Sequence, residues 1–232
     1  MRIPTALLLA STLLFAASVQ AAASDSLWAR AVEIVRISRD WVPGRAEFAL
    51  ATVDDKGAPQ ETWRVTYHLS RTPTGDVALD VVSAAHNSAD TTVKEQANQR
   101  KRKATPFSMG DNPFDPLVQD SVQAAPRGEK AEKAGRICAG YDFKLTKKDG
   151  SVVTGVAWLE EKTGAPVEVS STASPLPRGV FKLTTTMHYA AGPAGEGFLR
   201  DVFVEGVAGI LFFKKGFRST ISVDGYWRRG SS

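Results

Sequence analysis

The chain has 232 residues, with 29 Lys and Arg against 25 Asp and Glu, and one cysteine. That even charge balance leaves no electrostatic footprint for nucleic acid. The single cysteine excludes an intramolecular disulfide and any metal site built on a cysteine cluster. Stability has to come from an ordinary apolar core, which a chain of this length can supply.

The first 23 residues read as a secretory leader. Arg2 precedes an apolar run from Ala6 through Ala17, and small residues at Ala21, Ala22 and Ala23 offer cleavage options before Ser24. The run is too short to span a bilayer comfortably. No cysteine lies nearby to carry a lipid, so the expectation is a cleaved, soluble, periplasmic protein. Removing Arg2 leaves 28 basic against 25 acidic residues, a net charge near +3.

Residues 24–232 are expected to form one domain. Ser24 or Ser26 can cap a helix running to about Asp40. Leu27, Trp28, Ala31, Ile34, Val35 and Trp41 fall near helical spacing, and Pro43-Gly44 stops it. Phe48, Leu50 and Thr52 then alternate toward Asp54-Asp55-Lys56-Gly57. Trp63, Val65, Tyr67 and Leu69 alternate after it, and Val77, Leu79 and Val81 follow Thr72-Pro73-Thr74-Gly75. This predicts a three-stranded meander.

From residue 88 to 135 the pattern becomes polar, an insertion whose basic run is Arg100, Lys101, Arg102 and Lys103. A helix capped near Asp90 and a loop both fit. The run reads either as a patch for an anionic membrane surface or as a solvated face. Asn112-Pro113-Phe114-Asp115-Pro116 is a turn that can open a short helix, and Gln123 to Gly135 reads as a surface connection.

Alternation is strongest between Cys138 and Tyr189, with Lys148-Asp149-Gly150 and Lys162-Thr163-Gly164-Ala165-Pro166 as turns. Further strands are expected at Phe198 to Val204, Ile210 to Phe213, and Phe217 to Trp227. Nine or ten strands with short links and one strong helix predict a mainly β fold. It would be a strongly curved antiparallel sheet or incomplete β-barrel wrapped around a helical lid. The sheet's apolar face is expected to carry Trp63, Tyr67, Phe143, Phe181, Met187 and Tyr189, with Trp158 also drawn in. Each aromatic is ordinary core by itself; together under Leu27, Trp28 and Ile34 they could line an apolar cavity.

The leader, the helix and above all Trp158-Leu159-Glu160-Glu161-Lys162-Thr163-Gly164-Ala165-Pro166 resemble the LolA/LolB-like lipoprotein carrier superfamily, including its RseB-type regulators. The resemblance implies an unclosed barrel with a helical lid and a cavity for acyl chains or a lipidated partner. For the carriers' lid-locking arginine, Arg45 and Arg64 are the candidates.

No motif for chemistry is complete. His68 and His188 fall on the polar faces of strands and His86 in a loop near Asp90; no pair has zinc-motif spacing, and no Gly-x-Ser-x-Gly elbow occurs. Gly206 to Gly209 lacks a phosphate loop's Gly-Lys-Ser/Thr ending. Cys138 reads as a small buried residue. Three readings follow, with no cofactor or metal expected. The first is a carrier for a lipid, acyl chain or lipoprotein. The second is an envelope protein-interaction or sensor module, and the third a hydrolase using His86, Asp90 and a serine. The first is preferred, which makes the chain a binding protein and not an enzyme.

Overall fold

A computed structural model describes residues 26–54, 56–72, 76–101, 111–210 and 213–229. The expected leader, and Arg102 and Lys103 of the basic run, lie outside the described residues. The first helix, α1, spans Ser26–Ser38. Strands β1 (Trp41–Val42), β2 (Arg45–Val53), β3 (Pro59–Arg71), β4 (Val77–His86) and β5 (Ala89–Asp90) follow. Helix α2 (Thr92–Lys101) comes next, then a 3-10 turn at Gln119–Ser121 and β6 (Val122–Lys133). The remaining strands are β7 (Arg136–Thr146), β8 (Val152–Glu160), β9 (Pro166–Ser174), β10 (Val180–Ala191), β11 (Gly197–Ile210), β12 (Phe213–Asp224) and β13 (Trp227–Arg228).

Eleven strands form one open antiparallel sheet in the order β5-β4-β3-β2-β12-β11-β10-β9-β8-β7-β6. The expected meander is β2 to β4, and two of the expected turns hold for a local reason, while Pro73, Thr74 and Gly75 lie outside the described residues. Asp54 Oδ1 accepts the Lys56 and Ala58 N–H groups at 2.9 and 2.8 Å, and Asp149 Oδ1 accepts the Ser151 N–H at 2.9 Å. The last long strand, β12, pairs with the first, β2, from Gly216↔Val53 to Asp224↔Arg45. That closure joins the two halves of the sequence into one surface.

Register places one row of side chains across the sheet. It runs Tyr141, Ala157, Val169, Met187, Val202, Ile221, Phe48, Val65 and Ala84, each directly opposite the next. This row marks the inner face, on which α1 lies. Alternate residues form the outer face, where ion pairs such as Arg218–Glu205 at 3.0 Å and Lys133–Glu168 at 2.8 Å cross between strands. The first pair is exposed and adds little stability, whereas the second is half-buried.

Three expectations need correction. The helix ends at Ser38, and Trp41 instead pairs with Arg228 in a two-stranded ribbon, its ring edge-on to Phe198 at 5.4 Å. The stretch read as a surface connection is strand β6, one border of the sheet. Its charges, Pro126 and a register shift between Pro126 and Lys130 are how an edge strand avoids pairing with other chains. The insertion is therefore partly sheet, and residues between Asp90 and Val122 link its two opposite edges.

Candidate binding face

Under α1 the inner face is filled. Trp28 is 7% exposed, and its ring centroid lies 4.7 Å from Phe114, 5.8 Å from Tyr141 and 6.4 Å from Phe143. Ala31 and Val35 continue the helix's buried stripe onto Leu159, Val169, Met187 and Tyr189 in one cluster. Phe114, fully buried, comes from the turn after α2. Asn112 Oδ1 accepts the Phe114 N–H at 3.0 Å and the Tyr189 hydroxyl at 3.0 Å. Gln119 donates to the Pro113 and Asp115 carbonyls and accepts the Trp28 indole N–H at 3.3 Å. Sequence reasoning placed no weight on Asn112, Phe114 or Gln119. The only signal was Asn-Pro-Phe-Asp-Pro, a pair of side-chain-capped turns that hold an aromatic between them.

The Trp158–Pro166 segment seats the helix. Gly164 has φ +78°, and a Cβ there would come within 2.7 Å of Arg30 Cβ and 3.2 Å of the Leu27 carbonyl. Thr163 shapes the turn, donating to Glu160 at 2.7 Å and accepting the Ala165 N–H at 3.0 Å. Further along, a Cβ on Gly197 would meet Ile34 at 2.7 Å, and the Gly197 N–H donates to Ser38 Oγ at 3.0 Å. Gly164→Ala combines left-handed strain with that clash. We expect it to cost about 1–3 kcal/mol, read as a lower thermal midpoint, whereas Gly150→Ala meets nothing within 4 Å and carries only the strain.

The predicted residues fall into three groups. Trp28, Phe143, Met187 and Tyr189 are buried together beneath α1, with Leu27 packed at their border and Ile34 on Gly197. Tyr67 packs on a second cluster, Val42, Ala46, Leu69 and Val223. Trp158 and Phe181 depart from expectation. Trp158 points to the outer face, because the inner positions of β8 are Val153, Gly155, Ala157 and Leu159. It covers Gly140, whose Cβ would sit 3.0 Å from the ring, beneath the Lys133 ammonium at 5.2 Å. Phe181 is 48% exposed at the strand end, with Lys214 Nζ 4.4 Å over its ring. Arg100 and Lys101 are exposed in the last turn of α2. Arg45 and Arg64 pair with Glu47 on the outer face and so do not lock α1.

Beside the helix-covered half, the inner face stays apolar without joining the core. Phe48, Leu50, Trp63 and Val65 on β2 and β3 are half-buried and belong to neither buried cluster. Ile221 and Val204 form the boundary with the α1 core. At the far side Trp63 stacks on His86 at 4.9 Å and 8°; His86 Nε2 and, two strands away, Thr52 Oγ1 are buried without a hydrogen-bond partner. Among the described residues, Trp28 and Phe114 thus stand where the cavity beneath a lid was expected, and the half-buried apolar residues lie next to them.

His86 is the last residue of β4 instead of a loop residue, and Asp90 spends its carboxylate on the Thr92 N–H at 2.8 Å, at the start of α2. Hydrogen bonds from Thr92 hold the Asp90 carboxyl below its usual range. His188 lies on the outer face, 3.7 Å from Glu168. Cys138 is fully buried, and burial pushes its thiol up, away from reactivity. Burial also raises the Tyr189 and Tyr226 phenols well above 10. Each is neutral in both folded and unfolded chains at lower pH, and above about 10 only the unfolded chain ionises. Stability should therefore fall as pH rises past about 10, and less steeply in Tyr189→Phe; a midpoint flat in pH through that range would contradict the burial.

No protein-family model matches the chain, and no curated protein sequence matches it. Solved structures do. A putative outer membrane lipoprotein-sorting protein domain from Vibrio parahaemolyticus is similar over 88% of this chain and 94% of its own, at 10% identity and a TM-score of 0.41. A LolA superfamily protein from Nitrosomonas europaea is similar over 89% and 94%, at 10% identity and a TM-score of 0.41. The Pseudomonas aeruginosa MucA/MucB complex gives 88% and 98%, at 9% identity and a TM-score of 0.25.

Proposed function

We propose that the chain is a periplasmic binding protein, without catalytic activity, that holds the acyl chain of a lipid or lipoprotein on the inner face beside α1. One observation carries the reading: register sets Phe48 beside Val65 and Leu50 beside Trp63, an apolar patch that neither core cluster of the described residues uses. Each methylene laid on such a surface gains roughly 0.8 kcal/mol, so a chain of several carbons supplies useful affinity. Helix α1, seated on a filled core, acts as a fixed wall and not as an opening lid. The leader-like first 23 residues support export to the periplasm, where such a carrier meets lipidated cargo.

The filled interior under α1 favours a second reading for that half of the molecule, the docking of an envelope protein. Titrating the protein with a fluorescent fatty acid separates the two. Saturable uptake, displaced by unlabelled palmitate, is expected. Absence of uptake at probe concentrations up to its solubility would reject the acyl-chain reading in favour of docking.

A further inference from the structure

Helix α2 has an arrangement that neither reading above requires. Among the described residues it buries none of its own, and its sequence Thr-Val-Lys-Glu-Gln-Ala-Asn-Gln-Arg-Lys has no apolar stripe. A ten-residue helix of that composition is marginal by itself. What holds it is one line of side chains, Thr92, Gln96 and Gln99, spaced to fall on one face. Thr92 Oγ1 accepts the Ala84 N–H at 2.9 Å. Gln96 donates to the Val81 carbonyl at 3.0 Å. Gln99 accepts the Val81 N–H at 3.1 Å and donates to the Leu79 carbonyl. These are the outward-facing backbone groups of β4, the strand that β5 covers only at Ala85 and His86. The helix thus uses side-chain amides where a neighbouring strand would use its backbone.

We propose that α2 is a displaceable guard, and that the β4 edge it covers accepts an extended segment of a partner protein as an added strand. Strand addition replaces each side-chain amide contact with a main-chain hydrogen bond to the same atom. The register states what the segment looks like. Leu79, Val81 and Ala84 lie on the inner face with Leu69, Tyr67 and Val65, so residues paired with them need apolar side chains at alternate positions. Lys94, Arg100 and Lys101 outnumber Glu95 on the helix, and they stay tethered beside the edge after displacement, which favours acidic flanks. Asp80, Arg100 and the two glutamines already border a depression of about 340 Å³ between helix and strand. The proposal does not rest on acyl-chain binding.

The test uses the full chain, exported with its own leader, and a labelled peptide Asp-Asp-Val-Thr-Val-Thr-Val-Asp-Asp. Its control has proline at the central valine, which removes a ladder donor. Alanine is a better helix former than glutamine, so Gln96→Ala with Gln99→Ala frees the edge without weakening α2 as a helix. The double variant should bind the peptide about tenfold more tightly than the unaltered chain, the factor for about 1.4 kcal/mol of lost guard contacts. The proline peptide should bind neither. In the unaltered chain the Val81 amide should exchange with solvent together with those of α2, well before the amides of β2. Equal affinity of variant and unaltered chain, equal binding of the proline peptide, or a Val81 amide released only on global unfolding would each overturn the proposal. Dimerisation of the variant through β4 would overturn the assignment of the partner in favour of a second copy.

Discussion

Trp28→Ala should cost about 3–5 kcal/mol, the range for deleting a large aromatic from a packed core. The side chain is 7% exposed among three aromatic rings. Removing it also leaves the Gln119 carbonyl oxygen without its indole donor. The loss should appear as a lower denaturant midpoint, accompanied by faster exchange throughout α1. Trp28→Phe should recover most of the packing but not the hydrogen bond, and should fall between. A Trp28→Ala protein as stable as the unaltered chain would mean that α1 is not anchored by this cluster, and the fixed-wall role would fail with it.

Leu50→Glu should abolish most acyl-chain uptake while leaving the fold largely intact. Leu50 stands between Ser219 on β12 and Trp63 on β3 and is outside both buried clusters. A carboxylate there displaces an apolar chain from the middle of the surface. Two methylenes lost at roughly 0.8 kcal/mol each already weaken binding more than tenfold. Leu50→Met keeps volume and polarity and should bind nearly as well. The thermal midpoint of Leu50→Glu should fall less than that of Trp28→Ala, since Leu50 is half-buried and outside both core clusters whereas Trp28 is buried in one. Undiminished uptake by a folded Leu50→Glu protein would move the site off this half of the sheet.

Much of this architecture could be read from the sequence where side-chain period and turn chemistry agreed. The alternation of Trp63, Val65, Tyr67 and Leu69, the Asp-capped turns, and the Leu27–Val35 stripe each have one local cause and were read correctly. What escaped was set by partners distant in sequence. That β12 pairs with β2 depends on the curvature of the whole sheet, which no local pattern encodes. Strand β6 was hidden because an edge strand is charged and broken by Pro126 for the same reason that a loop is. Phe114 sits in a turn, and only the three-dimensional meeting of Asn112, Tyr189 and Gln119 turns it into core.

The proposed binding surface was legible only in part. Trp63 was singled out, but Phe48, Leu50 and Val65 read as ordinary strand residues, because an apolar alternation looks the same whether or not something covers it. The aromatic character of Trp158 suggests the inner face, whereas its even position among Val153, Ala157 and Leu159 sets it on the outer one. The glutamines of α2 carried no signal as residue types. Their meaning comes from Leu79 and Val81, whose backbone groups they cover as Thr92 covers that of Ala84.

Native mass spectrometry of the protein purified from a bacterial periplasm, followed by lipid extraction, reads the acyl-chain site itself. A co-purifying acyl-chain ligand is expected, retained in Leu50→Met and lost in Leu50→Glu. A clean unliganded mass for the unaltered chain, together with no uptake of added fatty acid, would contradict it.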